Sequence, residues 1–177
     1  RTTVTPDAVE DIVLGCATQS GEQGANIART AALLAGWDVP GLMVNRFCAS
    51  GIDAVALASA RIRSGDASLL VAGGVESVSR VPLFADGGPL YADPAIVARV
   101  GSIHMGIAAD LVATLDDTPR EALDAFAQRT RDKARRALAA GRHRSIVPIS
   151  VGAASLDHDE LLDWVPTPAD LAALPPA

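Results

Sequence analysis

A chain of 177 residues, 49% of them hydrophobic, is long enough to enclose a substantial core, and its 3% aromatic content points to small side chains and helices laid on a sheet. A formal charge of -6 without a basic run excludes nucleic acid as the main partner. No apolar stretch is read as reaching the roughly 18 residues of a membrane span, no signal-peptide pattern follows Arg1, and Cys16 and Cys48 match neither a zinc spacing nor a disulfide framework, so no metal and a reduced, cytoplasmic setting are expected.

Residues 11–18 form a short apolar run ending in turn signals, which predicts a buried strand. An Ala- and Leu-rich helix is predicted over 25–35, closed by Gly36. Leu42, Met43 and Val44 form a second strand leading directly into Asn45-Arg46-Phe47-Cys48. From 51 to 64 the pattern is helical, with Ile52, Val55, Ala56, Ser59 and Ala60 at three- and four-residue intervals, and so apolar that burial on several sides is expected. Residues 68–72 read as a strand without alternation, covered on both faces. Alternating strands and helices imply an α/β fold, a parallel or mixed sheet with helices on both faces. Residues 83–103, with Gly87, Gly88, Pro89 and Pro94, show little periodicity and read as an excursion from the core. Helices are predicted over 106–114 and 119–140, the second opening Thr118-Pro119-Arg120-Glu121 and ending at Gly141. Residues 145–177 read as loop-like, punctuated by prolines.

Cys48 lies between a strand and an apolar helix. The unpaired N–H groups and macrodipole at a helix start favour a thiolate, the nucleophilic form of cysteine. Ala49, Ser50 and Gly51 leave room beside the sulfur for a carbonyl, and the Cys48 N–H lies where an oxyanion donor would be wanted. The competing reading is a small hydrophobe in a packed interior, which is the reading for Cys16.

The segments Asn45-Arg46-Phe47-Cys48-Ala49-Ser50-Gly51, Arg61-Ile62-Arg63-Ser64-Gly65 and Gly73-Gly74-Val75-Glu76-Ser77-Val78-Ser79-Arg80-Val81-Pro82 look like the nucleophile region of the thiolases. Val9 through Cys16 and Asn26-Ile27-Ala28-Arg29 resemble the preceding family segments. His104 through Asp110, Arg120-Glu121 and Asp124 through Ala127 resemble the loop-domain helices, and Ile146-Val147-Pro148-Ile149 the return strand. The resemblance implies the first half of a thiolase-like layered α/β fold, with a core over 1–82, a loop domain over 83–144, and a return strand and linker over 145–177.

In activity, it implies acyl transfer between coenzyme A thioesters through a thioester on Cys48. The direction is 3-ketoacyl-CoA thiolysis, the degradative preference, or the reverse Claisen condensation. Met105 resembles the residue lining the acyl and pantetheine pocket, with His104 beside it. No cofactor is held permanently and coenzyme A is a substrate. A homodimer or homotetramer in fatty acid metabolism is implied, with no nucleic-acid or membrane partner.

The sequence departs from the family in what it omits. The family's Gly-His-Pro histidine, Cys-x-Gly cysteine and Asn-Glu-Ala-Phe asparagine have no counterpart among the 177 residues, so the chain alone is expected to be inactive. Val151 through Leu156 lack the basic turn many thiolases carry, so recognition of the coenzyme A phosphates is either weak or supplied from elsewhere, with Arg142 or Arg144 as candidates. Two other readings stay open: a ketoacyl-synthase-like condensing enzyme, and a non-catalytic thiolase-like subunit or truncated product.

Overall fold

The computed structural model describes residues 3–177, and the chain divides into two units, Arg1–Ser102 and Ile103–Ala177. In the first, strands β1 (Asp11–Gly15), β2 (Gly41–Val44) and β3 (Leu70–Gly74) form a parallel sheet in the order β2-β1-β3. Helix α1 (Ile27–Leu34) joins β1 to β2, and α2 (Ser50–Ser64) leads from β2 across β1 to β3. Steps in opposite directions along a parallel sheet put the two crossover helices on opposite faces.

The central strand shows how both faces are covered. Ile12 joins Val9, Ala28, Ala32 and Val39 in the cluster beneath α1. Val13, fully buried, packs with Ala54 and Ala58 of α2. The same alternation turns Asp11 toward α2, where it accepts a 2.6 Å hydrogen bond from Arg61, and brings the backbone of Gly15 against Ser50. Thus α2 is held to β1 by an ion pair near one end, alanines in the middle and a glycine contact at the other. A β-carbon on Gly15 would lie inside 3.0 Å of Ser50 C and O and of Gly51 N.

Four expectations change. Helix α2 buries only the stripe Ser50, Ala54 and Ala58, while Ile52, Val55 and Ile62 stay exposed, Ile52 at 76%. The small residues grip the sheet with Leu57 packed beside them, while Ile52, Val55 and Ile62 turn away from it. Residues 83–103 hold more regular structure than their weak periodicity implies: Pro89 and Pro94 open α3 (Pro89–Ala92) and α4 (Pro94–Val100), with Asp93 capping the latter, while residues 83–88 stay outside any helix or strand. The segment Pro94–Leu115 does meet the length and composition of a membrane span, contrary to the expectation, although it is interrupted at residues 101–104, where Gly101 has φ 68°.

The fourth change lies in the second unit, which contains α5 (Met105–Leu115) and α6 (Arg120–Ala139). Residues 145–177 there are more ordered than loop-like: β4 (Ile149–Val151) pairs antiparallel with β5 (Ala154–Leu156), and α7 (Pro168–Ala172) carries a Thr167–Asp170 capping box. The charged face of α6 ties this segment down. Arg131 and Arg135 donate to the carbonyls of Leu161, Trp164 and Leu162, and Arg120 to those of Leu171 and Leu174.

Replacing Gly15 by Ala should destabilise the fold by about 1–3 kcal/mol, the usual cost of forcing atoms into a packed contact. Gly51→Ala, whose new β-carbon meets nothing within 4 Å, should be neutral or stabilising. Urea unfolding of both variants checks this; equal midpoints would contradict it.

Candidate active site

In a parallel sheet all carboxyl ends lie along one edge, the usual place for a site in an open α/β fold. Here that edge gathers Cys16–Thr18 after β1, Asn45–Ala49 after β2 and Val75–Ser77 after β3. The bonds Cys16 N–H to Val44 O and Val75 N–H to Gly15 O stitch the three segments together, both at 3.0–3.1 Å.

The Cys48 loop is a tight strand-to-helix turn. Ala49 N–H donates to Arg46 O, and Ser50 N–H to Phe47 O. The Ser50 hydroxyl accepts from Arg46 N–H at 2.8 Å and donates to Phe47 O, so this 4% exposed side chain closes the loop rather than making room beside the sulfur. Phe47 adopts φ 48°, a left-handed conformation uncommon for a bulky side chain. Asn45 supports it: its Oδ1 accepts the Phe47 N–H at 2.8 Å and its Nδ2 donates to Ala17 O at 2.9 Å. Arg46 pairs with Asp53 of α2. Cys48 is exposed and immediately precedes Ala49, the N-cap of α2.

Beside this loop lies a polar cluster that the sequence reading passed over. Gln23, 2% exposed, donates from Nε2 to Thr18 O at 2.9 Å and to Glu76 Oε1 at 2.8 Å, and its Oε1 accepts the Ser77 N–H. Glu76 Oε2 accepts the Ala17 N–H at 2.8 Å and lies 3.8 Å from Cys16 Sγ. Desolvation works to raise the Glu76 carboxyl, but hydrogen bonds from Gln23, the Ala17 and Thr18 backbone and Cys16 together hold it below the ordinary carboxylate range. Cys16 is 1% exposed; burial, then the charge of Glu76, pushes its thiol up. Asn45 and Glu76 were visible only as parts of longer motifs. Gln23, in a Gly-rich turn, gave no signal of its own.

The other candidates lie in the second unit. His104 is the N-cap residue of α5 and Met105 its first residue, 67% exposed. Arg142 and Arg144, candidates for phosphate contact, follow α6 and are both exposed.

Comparison with known proteins agrees along the whole chain. The family model described as thiolase, N-terminal domain, matches residues 1–177. The chain is 38% identical to a 3-ketoacyl-CoA thiolase of Colwellia psychrerythraea, over 97% of this chain and 46% of that protein. It is 41% identical to a beta-ketoadipyl-CoA thiolase of Pseudomonas knackmussii, over 95% of this chain and 48% of that protein. A 3-ketoacyl-CoA thiolase of Bacillus subtilis is 37% identical over 85% of this chain and 39% of its own length. The chain thus spans about half the length of the curated relatives it matches.

Two measurements test this geometry. Limiting iodoacetamide at neutral pH should label Cys48 well before Cys16, since only Cys48 is exposed and the Cys16 thiol is pushed up; peptide mapping that finds Cys16 modified first would contradict the site. The second concerns Glu76. A carboxylate held low by the fold adds stability that is fully present above the ordinary value near ~4.3 and is lost as pH falls through its lowered folded value. The difference in melting temperature between wild type and Glu76→Gln should therefore be steady from about pH 7 to 5 and narrow below about pH 4. A gap unchanged at about pH 3 would show that the charge is not what matters.

Proposed function

The chain belongs to the thiolase family, and on that premise we propose that it supplies the nucleophile for acyl transfer between coenzyme A thioesters, with Cys48 carrying the acyl group. One observation supports this above the others: Cys48 is exposed at the strand-to-helix turn on the carboxyl edge of the sheet, and the turn is braced on both sides by side-chain hydrogen bonds. Such a turn presents a thiol to solvent while fixing the direction of its backbone.

In the proposed thiolysis, the Cys48 sulfur attacks the 3-keto carbonyl of a 3-ketoacyl-CoA. Collapse of the adduct breaks the bond between C2 and C3, leaving the shortened acyl group as a thioester on the sulfur. The two-carbon fragment departs as the enolate of acetyl-CoA and takes up a proton. A second coenzyme A thiol then attacks the Cys48 thioester and frees the enzyme. The named activities of the relatives, toward 3-ketoacyl-CoA and beta-ketoadipyl-CoA, support a thioester substrate with a keto group at C3. His104 and Met105 are assigned to the acyl-pantetheine arm. Met is suited to that task because its flexible, polarizable side chain accepts varied shapes.

Deprotonating and reprotonating the acetyl carbon needs an acid–base group besides the esterified cysteine. We assign that work to residues outside this chain, which on its own would stop after one acylation. The degradative direction within fatty acid metabolism, a cytoplasmic setting and assembly as a homodimer or homotetramer belong to the same proposal, and the two free cysteines accord with a reducing compartment.

In the complete protein, Cys48→Ser should lower thiolysis of acetoacetyl-CoA by at least ~10³-fold while leaving the melting temperature near that of wild type, because a hydroxyl is far less ionised and a weaker nucleophile. The decay of the substrate's enolate absorbance in the presence of free coenzyme A gives the rate. Retention of most of that rate would refute the role of Cys48.

A further inference from the structure

We infer that Glu76 is a positioning residue for Cys48, acting through Ala17 and Asn45 without touching the substrate. The inference rests on the reading of Cys48 as the nucleophile. Three hydrogen bonds join four residues in one path. Glu76 Oε2 accepts the Ala17 N–H at 2.8 Å, Ala17 O accepts from Asn45 Nδ2 at 2.9 Å, and Asn45 Oδ1 accepts the Phe47 N–H at 2.8 Å. The path ends at the residue bonded to Cys48, and that residue is the one held at φ 48°. Left-handed backbone in a bulky residue persists only where its surroundings impose it. Here Asn45 supplies the acceptor, and Ala17 fixes which way the Asn45 amide faces.

The path is directional because Gln23 sets its polarity. The Gln23 Oε1 is committed to the Ser77 N–H, and its Nε2 is committed to Thr18 O and Glu76 Oε1. The amide cannot rotate without setting its NH₂ against the Ser77 N–H. Two oxygens are therefore wanted at position 76: one for Gln23 and one for Ala17. A glutamine there has one oxygen and one NH₂, so it must either face a donor with a donor or release Ala17. Releasing Ala17 frees the strand end that orients Asn45. Helix α2 cannot compensate, because the opposite side of the turn is already fixed by Ser50 against Gly15. A shift in this path thus reaches Cys48 with the fold otherwise in place.

A double-mutant cycle in the complete protein tests the path. Glu76→Gln and Asn45→Ala should each lower kcat for acetoacetyl-CoA thiolysis about tenfold, with KM within about twofold, since small misplacements of a reacting group cost rate more than binding. The double variant should be no slower than Asn45→Ala alone, because both changes cut one path. Val39→Ala, in the core cluster beneath α1 and away from both the path and α2, should lower the melting temperature as much as Glu76→Gln does while leaving kcat near wild type. Additive losses in the double variant would overturn the inference, as would a loss of kcat in Val39→Ala equal to that in Glu76→Gln. Should Glu76→Gln not accumulate folded, Glu76→Asp, which keeps the charge and withdraws the carboxylate by one methylene, takes its place in the cycle. The same cycle is also read by the rate of iodoacetamide labelling at Cys48, a readout independent of turnover. If Cys48→Ser retains thiolysis, the nucleophile reading falls while the labelling cycle still decides whether Glu76 positions this loop.

Discussion

The close approach of Gly15 to the first turn of α2 is the contact on which the rest of the site depends. It lets a helix begin directly against the last residue of the central strand, with no side chain between them. Because β1 alternates, the residue two positions earlier on the same face, Val13, meets Ala54 and Ala58, and the one before that, Asp11, meets Arg61. The helix is thereby held along its length by residues that grow in size from glycine to alanine to a guanidinium. Its start is the most tightly held point, and the loop bearing Cys48 enters it there.

Tight packing at one end of a turn would leave the other end free were it not for the polar contacts on the strand side. Backbone groups at the carboxyl edge of a sheet have no further strand to pair with, and leaving them unsatisfied is costly. The protein meets that need with side chains. Gln23 and Glu76 serve the peptide groups of Ala17, Thr18 and Ser77, and Asn45 serves those of Ala17 and Phe47. The same bonds that satisfy the sheet edge also define the turn. This explains how a residue such as Phe47 can hold a left-handed conformation while 56% exposed.

Much of this was legible in the residues. Short apolar runs and the glycines after them placed the three strands and α1, α2, α5 and α6 to within a few residues, because period and punctuation are local properties of the chain. The turn around Cys48 was legible because an apolar strand runs straight into an apolar helix with only five residues, 45–49, between. Contacts that depend on two distant segments were not. Ser50 read as a small residue beside the sulfur, yet its hydroxyl turns back to Arg46 and Phe47. Gln23 could be recognised only once residues 23 and 76 had been brought together by the β1–β3 pairing. The two short helices within 83–103 were not legible because prolines and glycines hide any periodicity there, whereas Pro89 and Pro94 each open a helix.

The composition of α2 carries one more physical consequence. A helix meant only to cover a sheet would place its largest apolar side chains on that sheet, where burial stabilises most. Helix α2 instead centres that face on Ser50, Ala54 and Ala58, with Leu57 at its margin, and turns Ile52, Val55 and Ile62 outward. Small inward residues let the helix approach β1, and that closeness is what lets Gly15 meet the first turn. Stabilisation by large buried side chains has been given up along this face in exchange for a short, well-defined distance between strand and helix. All of these contacts lie within Arg1–Ser102, so the direction in which Cys48 is presented follows from the packing of that unit by itself.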